Sequence, residues 1–350
     1  MAQQTTQDYL FFENGIGRTL KHRSYFNVQI VQPSYIAVLQ YRKTPSGKAF
    51  WHKSYINPSI NYSIIFANIG NNYTAGWAFG GMIGTTLHNK KNTFAYSINS
   101  GIAYLNKPFD IIHNYNNNVI GSTFNNVTQL KCSYQISKKS IYKIEPFFSF
   151  THFSNGRFAS PNQGYNIISI GLAGGFPIHK NKKNDSNISA FDSFQFSKKI
   201  IPSIQYAMAW GENLTPNGPK NITYVLGAFI NKRITNNTSL FLNNECSYDA
   251  EENNFIKHAE LGNINFKNGF RNSIFIGAEV FLGKISFKGK TGTDLIHAFH
   301  KRSFSISELS LNYYIKDAQI HQHNNLAFGI NLQTILFNAQ HLGLSCTYQF

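Results

Sequence analysis

The chain has 350 residues and a formal net charge of +16, yet only 14% of its residues are charged while 15% are aromatic. Mean hydropathy is −0.27 and no run of 18 apolar residues occurs, which excludes a helical membrane protein. Few charges and many Phe and Tyr argue against an ordinary soluble domain and fit a transmembrane β-barrel, whose apolar signal is spread over short alternating segments.

The positive charge alone would allow a nucleic-acid partner. The basic residues are scattered through turns and strand ends, however, as from His179 to Lys183. No nucleic-acid partner is expected; such a basic rim suits the phosphates of anionic glycolipids. The three cysteines, Cys132, Cys246 and Cys346, are odd in number, widely spaced and set among strand-like residues, so no disulfide framework is expected. The 12 His are scattered too, and neither a metal nor a cofactor is implied.

Residues 1–21 lack clear periodicity and are expected to form a periplasmic N-terminal segment. They have neither a basic n-region nor an apolar h-region. The chain therefore reads as a mature sequence carrying an added initiator Met. A short strand is expected at 22–31, then firmer ones near 34–44, 55–67, 73–88, 92–106, 119–136, 141–155 and 163–178. Turn material separates them at 70–72, 89–92 and 137–140. A polar stretch runs to about 198, and alternation resumes at Ile200. Further strands are expected near 200–210, 222–231, 237–249, 270–282, 284–292, 305–316, 325–336 and 339–350. Longer connections are expected at 107–118, 211–220, 250–269 and 293–304. In the last strand Leu342, Leu344, Cys346, Tyr348 and Phe350 share one face. Ending on Phe with aromatic alternation resembles the C-terminal strand by which outer-membrane proteins are recognised for assembly. The fold expected is all-β: one antiparallel up-and-down outer-membrane barrel over 22–350 with an even number of strands, about 14–16.

The hairpin of 141–178 carries the one chemical oddity. Tyr142, Ile144, Phe148, Phe150, His152 and Ser154 share an otherwise apolar face, and so do Asn166, Ile168, Ile170 and Leu172. A turn centred near Ala159 sets His152 beside Asn166. Ser154 is a candidate nucleophile, His152 its general base and Asn166 the group that orients the imidazole. Asn155 and the Gly156 N–H are candidate oxyanion donors, and Asn162 is a candidate positioning residue. Taken singly, each has a plainer use: a turn former, a strand-end hydrogen bond, an interfacial His. Together Ser154, His152 and Asn166 fall on the lipid-facing parity.

His152-Phe153-Ser154-Asn155-Gly156 followed by Pro161-Asn162-Gln163-Gly164-Tyr165-Asn166 resembles the signature of the lipid A 3-O-deacylase (PagL-type) family, outer-membrane barrels also described as acyloxyacyl hydrolases. The resemblance covers roughly 34–178, including 116–122, and is specific mainly at 152–166. It implies hydrolysis of an ester-linked acyl chain of lipid A in lipopolysaccharide by a lipid-facing Ser-His-acid site. His152 and Ser154 match the family's base and nucleophile, and Asn155 matches an oxyanion contributor. Asn166 departs from the family's carboxylate, which leaves Asp110 as a conceivable helper. The length and the Asn- and Ile-rich composition resemble Bacteroidetes-like versions. The alternative is a non-catalytic barrel, either a porin-like channel or an accessory subunit of an outer-membrane assembly. The expected partners are lipid A and outer-membrane lipids; protein partners are left open.

Overall fold

The computed structural model describes residues 6–45, 49–55, 58–89, 93–136, 141–181, 197, 199–212, 216–258, 266–297, 306–336 and 338–350. Residues 90–92 of the expected turn at 89–92, the whole of that at 137–140 and most of the polar stretch before 198 lie outside these residues. Sixteen antiparallel strands make up the described chain, and none of its helices is long and apolar enough to cross a membrane. The first eight are β1 Thr6–Thr19, β2 Ser34–Lys43, β3 Ser59–Asn68, β4 Trp77–His88, β5 Phe94–Leu105, β6 Phe124–Tyr134, β7 Lys143–Ser154 and β8 Tyr165–Asn181. The second eight are β9 Ile200–Glu212, β10 Lys220–Thr235, β11 Thr238–Asp249, β12 Phe270–Leu282, β13 Ile285–His297, β14 Ile306–Tyr314, β15 Asn325–Ile335 and β16 Asn338–Gln349. The all-β antiparallel class and the even strand number are as the alternation predicts.

The expectation of a single barrel is corrected. Each set of eight strands closes on itself, β8 pairing with β1 and β16 with β9. The chain forms two compact units, residues 1–155 with 161–188 and residues 156–160 with 189–350. Period-two alternation marks strands and their faces, but it does not say which edge pairs with which. The N-terminal expectation is corrected as well. Residues 6–19 form β1, which runs antiparallel to β8 from Thr6↔Asn181 to Thr19↔Ile167. Its run Leu10-Phe11-Phe12 and its inward acids Asp8 and Glu13 hide the alternation. Residues 22–31 are irregular rather than a strand. Because β1 takes their place in the count, 143–154 is still the seventh strand. With a periplasmic N-terminus, β7 runs outward.

The first barrel is polar inside and apolar outside. On β7 the odd residues Glu145, Ser149 and Thr151 are buried inward, and Ile144 and Phe148 are exposed outward. Eight strands leave an interior just wide enough for side chains. Charged groups pair across it: Arg42 on β2 donates to both Glu145 oxygens on β7, at 3.0 and 3.3 Å, and lies over the Phe11 ring. Lys131 on β6 forms an ion pair with Glu13 on β1. Outward aromatic rings form two girdles. Phe66, Trp77, Tyr104 and Phe124 follow one another at centroid spacings of 6.0, 5.7 and 5.9 Å near the end of the barrel that carries the β7–β8 loop. Tyr41–Tyr62, Phe94–Tyr134 and Tyr142–Phe176 mark the other end. Paired aromatic girdles around an apolar band are the outer surface of a membrane barrel.

The second barrel is filled in the same way. Lys290 on β13 pairs with Glu245 on β11 and with Glu308 on β14, the latter at 3.1 Å. Arg271 on β12 meets Asp294 on β13 at 2.9 Å, and Tyr314 donates to Glu279 at 2.8 Å. On β16, Ser345, Thr347 and Gln349 point inward, while Leu344, Tyr348 and Phe350 are exposed.

Removing one partner of a buried pair leaves an uncompensated charge. Lys131→Met is therefore expected to lower unfolding stability by about 3–5 kcal/mol. Adding Glu13→Gln should restore most of it, as read by urea unfolding in lipid vesicles.

Candidate active site

Antiparallel pairing of β7 with β8 sets His152 directly opposite Asn166. Both side chains take the outward parity and are half-buried. His152 Nδ1 lies 2.6 Å from Asn166 Oδ1. A carboxamide oxygen only accepts, so Nδ1 carries the proton and Nε2 is left as the basic nitrogen. Ser154 follows two residues later on the same face, opposite Asn126 of β6, and is 7% exposed. Its hydroxyl makes no hydrogen bond to another described residue. Catalytic hydrogen bonds of this kind are commonly long before substrate binds. Ser154 is one outward position inside the aromatic girdle, because Asn126 is two residues from Phe124.

The loops fix the ends of this hairpin. Asn162 Oδ1 accepts the Asn155 main-chain N–H at 3.0 Å, so Asn162 shapes the turn. The Asn155 carboxamide donates to Ser122 Oγ at 2.7 Å, beside Ser154 in the chain. Residues 162–164 are pinned by the 106–123 connection: Gln163 N–H donates to Val119 O at 2.8 Å, and Ile120 bridges Asn162. Tyr165, fully buried, donates its hydroxyl to Asn117 Oδ1 at 3.1 Å.

Of the expected residues, His152, Ser154 and Asn166 thus share the outward parity at one end of the first barrel, with Asn155 and Asn162 in the turn that adjoins them. Gly156 does not join them: it groups with the second compact unit, in the left-handed backbone region at φ +65°. Asp110 does not join them either. Its carboxylate closes a turn, accepting the His113 and Ile112 N–H groups, which hold it below the usual carboxylate range. It also meets His113 Nδ1 at 3.1 Å and is exposed. No bond links it to His152 or Asn166.

Three features of the cluster lie outside the sequence reading. His22, from the β1–β2 connection, accepts from the Asn166 amide at 3.2 Å through Nδ1. Asn126, Thr128 and Ser100 continue the outward polar surface across β6 and β5, with Thr128 donating to Asn126 at 2.9 Å and Asn126 to Ser100 at 3.0 Å. These three break an otherwise apolar outward parity, and that signal was available in the sequence. Gly164, at φ +78°, lies flat against the imidazole; a Cβ there would come within 2.7 Å of His152 Cε1.

On the outward parity stand a hydroxyl and an imidazole with its basic nitrogen turned away from its anchor, and the adjoining turn supplies the Asn155 carboxamide as a donor. Such a set is suited to acyl transfer. Residues 36–173 match the lipid A 3-O-deacylase (PagL) family model. The PagL match lies within the first barrel, includes the whole 152–166 cluster and leaves His22 and the second barrel outside. No curated protein matches the chain. Among solved structures, a mutant Rh. blastica porin aligns at 11% identity over 98% of this chain and 99% of its own, with a TM-score of 0.20. The Acinetobacter baumannii outer membrane protein Omp33 aligns at 10% identity over the full length of both chains, with a TM-score of 0.18. Scores this low bear on neither fold nor function.

Gly164→Ala is expected to displace the imidazole and break the 2.6 Å contact, which a changed 15N signal of the His152 ring would report. Gly81→Ala, where the nearest neighbour of the added carbon is 4.0 Å away, should leave that signal in place.

Proposed function

We propose that the first barrel is an outer-membrane esterase that removes an ester-linked acyl chain from lipid A. The observation that carries this reading is the hydrogen-bonded His152–Asn166 pair beside Ser154 on the lipid-facing surface, inside the span that matches the PagL family. A membrane presents its acyl chains to the outside of a barrel, so a site facing lipid needs no enclosed pocket. The end of the barrel carrying the site holds the 20–33, 106–123 and 155–164 connections, against 44–58 alone of comparable length at the other end, and the longer connections are extracellular in bacterial outer-membrane barrels. That orientation sets the site in the outer leaflet, where lipopolysaccharide resides.

In the proposed reaction Ser154 Oγ attacks the ester carbonyl as His152 Nε2 takes its proton. The tetrahedral oxyanion is stabilised by the Asn155 carboxamide. Collapse expels the sugar alkoxide, which takes the proton from His152, and leaves an acyl-serine. Water activated by His152 then releases the fatty acid. Asn166 holds the ring and its tautomer throughout. As a neutral amide it stabilises the transient imidazolium less than a carboxylate would. A channel reading draws no support from the lumens, whose charged side chains bond one another.

Mass spectrometry of lipid A from cells making the protein is expected to reveal loss of one acyl chain, abolished by Ser154→Ala and by His152→Ala. Unchanged lipid A around well-folded wild-type protein would overturn the proposal. Asn166→Asp is expected to raise turnover roughly tenfold, the gain of a charge-assisted over a neutral hydrogen bond.

A further inference from the structure

As an esterase, the first barrel needs the Asn166 oxygen, and not its NH2 group, turned to His152. A carboxylate presents an oxygen to the imidazole whichever way it is turned. A carboxamide does not: rotated by half a turn, Asn166 would offer its NH2 group to His152 Nδ1. That nitrogen would then have to accept, the proton would move to Nε2, and His152 could not take the Ser154 proton. A Ser-His-Asn site on this strand pair therefore needs something to fix the amide.

Resting on the esterase reading, we propose that His22 is a positioning residue that fixes the Asn166 carboxamide and, through it, the working tautomer of His152. A main-chain carbonyl can only accept. His22 Nε2 lies 3.1 Å from Gln163 O, so Nε2 carries the proton. His22 Nδ1 is then an acceptor, and the Asn166 NH2 group faces it at 3.2 Å. With the NH2 group turned to His22, Oδ1 is turned to His152, at 2.6 Å. His152 Nδ1 must donate, and Nε2 is the base. The opposite tautomer of His22 could donate from Nδ1 to Leu20 O at 3.4 Å. It would set the Nε2 lone pair against the Gln163 oxygen and an N–H against the Asn166 NH2 group, two like-with-like contacts in place of two hydrogen bonds.

The surroundings hold His22 in place. The Leu20 N–H donates to Asn166 O at 2.7 Å, which extends the β1–β8 ladder to the residue before Lys21. The Phe26 ring meets the imidazole edge-on at 5.8 Å, and Phe26 itself packs against buried Tyr165. Lys21 and Arg23 are directed elsewhere, Lys21 to Gln29 at 3.0 Å and Arg23 to the Tyr25 hydroxyl. Gln163, which sets the orientation of His22, is itself held to the 106–123 connection by Val119 O and Asn118 O.

The test is a double-mutant cycle with the full chain in lipopolysaccharide-containing vesicles, measuring fatty-acid release, alongside 15N spectra of the imidazoles. His22→Ala is expected to lower kcat about tenfold with KM unchanged, the scale of one hydrogen bond. In an Asn166→Asp background the same change should move kcat less than twofold, because a carboxylate needs no orienting. The wild-type spectrum should report His152 protonated at Nδ1 alone, and His22→Ala should produce a mixture of tautomers. His22→Gln, which can both accept and donate, should recover part of the lost rate. Equal loss in both backgrounds, or an unchanged His152 tautomer in His22→Ala, would overturn the proposal. Full activity of Ser154→Ala would instead remove the esterase reading, and the tautomer measurement would then decide the role of His22 by itself.

Discussion

The main-chain ladder between β1 and β8 is the interaction on which the first barrel depends. In hydrocarbon an unpaired N–H or C=O has no water to turn to, so a sheet that crosses a membrane must close. Pairing from Thr6↔Asn181 to Thr19↔Ile167 removes both edges at once. Closing after eight strands also makes the interior narrow. Side chains from opposite walls then meet, which is why Arg42 reaches Glu145 and Lys131 reaches Glu13 across more than a hundred residues of sequence. Closure at this size decides where chemistry can occur: the inside is packed with paired charges, and the outside faces lipid.

A polar cluster on a lipid face must satisfy its own hydrogen bonds. His152 and Asn166 do so with one another, while Asn126, Thr128 and Ser100 do so along the neighbouring strands. Their height on the barrel lowers the cost further. Ser154 and Asn126 lie one outward position inside the Phe66–Trp77–Tyr104–Phe124 girdle, near the headgroups rather than mid-bilayer. An ester linking an acyl chain to a sugar lies at that same depth. An amide in the third position also suits the setting, since a neutral group costs less to hold against lipid than a carboxylate. The amide has two unlike ends, however, and so brings a requirement for orientation that a carboxylate lacks. His22 meets it from a connection that the family match does not include.

The second barrel obeys the same physics, with Asn244 and Asn272 bonding one another on its outward face. Its charges are spent on Lys290, Glu245 and Glu308, on Arg271 and Asp294, and on Glu279 with Tyr314. Its closing strand β16 ends in the outward series Leu344, Cys346, Tyr348 and then Phe350, with Ser345, Thr347 and Gln349 turned inward.

Alternation alone determined fifteen of the sixteen strands and their faces. Side chains change sides at every residue of a strand, so the parity that puts Phe148 and Ile170 outside also puts His152, Ser154 and Asn166 outside, before any contact is known. Local turn chemistry then brought His152 opposite Asn166, because a hairpin register is a short-range property. Tertiary structure decided the rest. Two barrels form instead of one because closure joins β1 to β8 and β9 to β16, and edge pairing at long range leaves no periodic trace. Residues 6–19 became a strand because β8 offered them an edge, although Leu10-Phe11-Phe12 and the buried acids Asp8 and Glu13 obscure the pattern. Asp110 bonds the N–H groups of its own turn. His22 is 144 residues from Asn166 in sequence, in a stretch whose pattern predicts a strand; only barrel closure, which carries the β1–β2 connection beside β8, brings its imidazole to the amide.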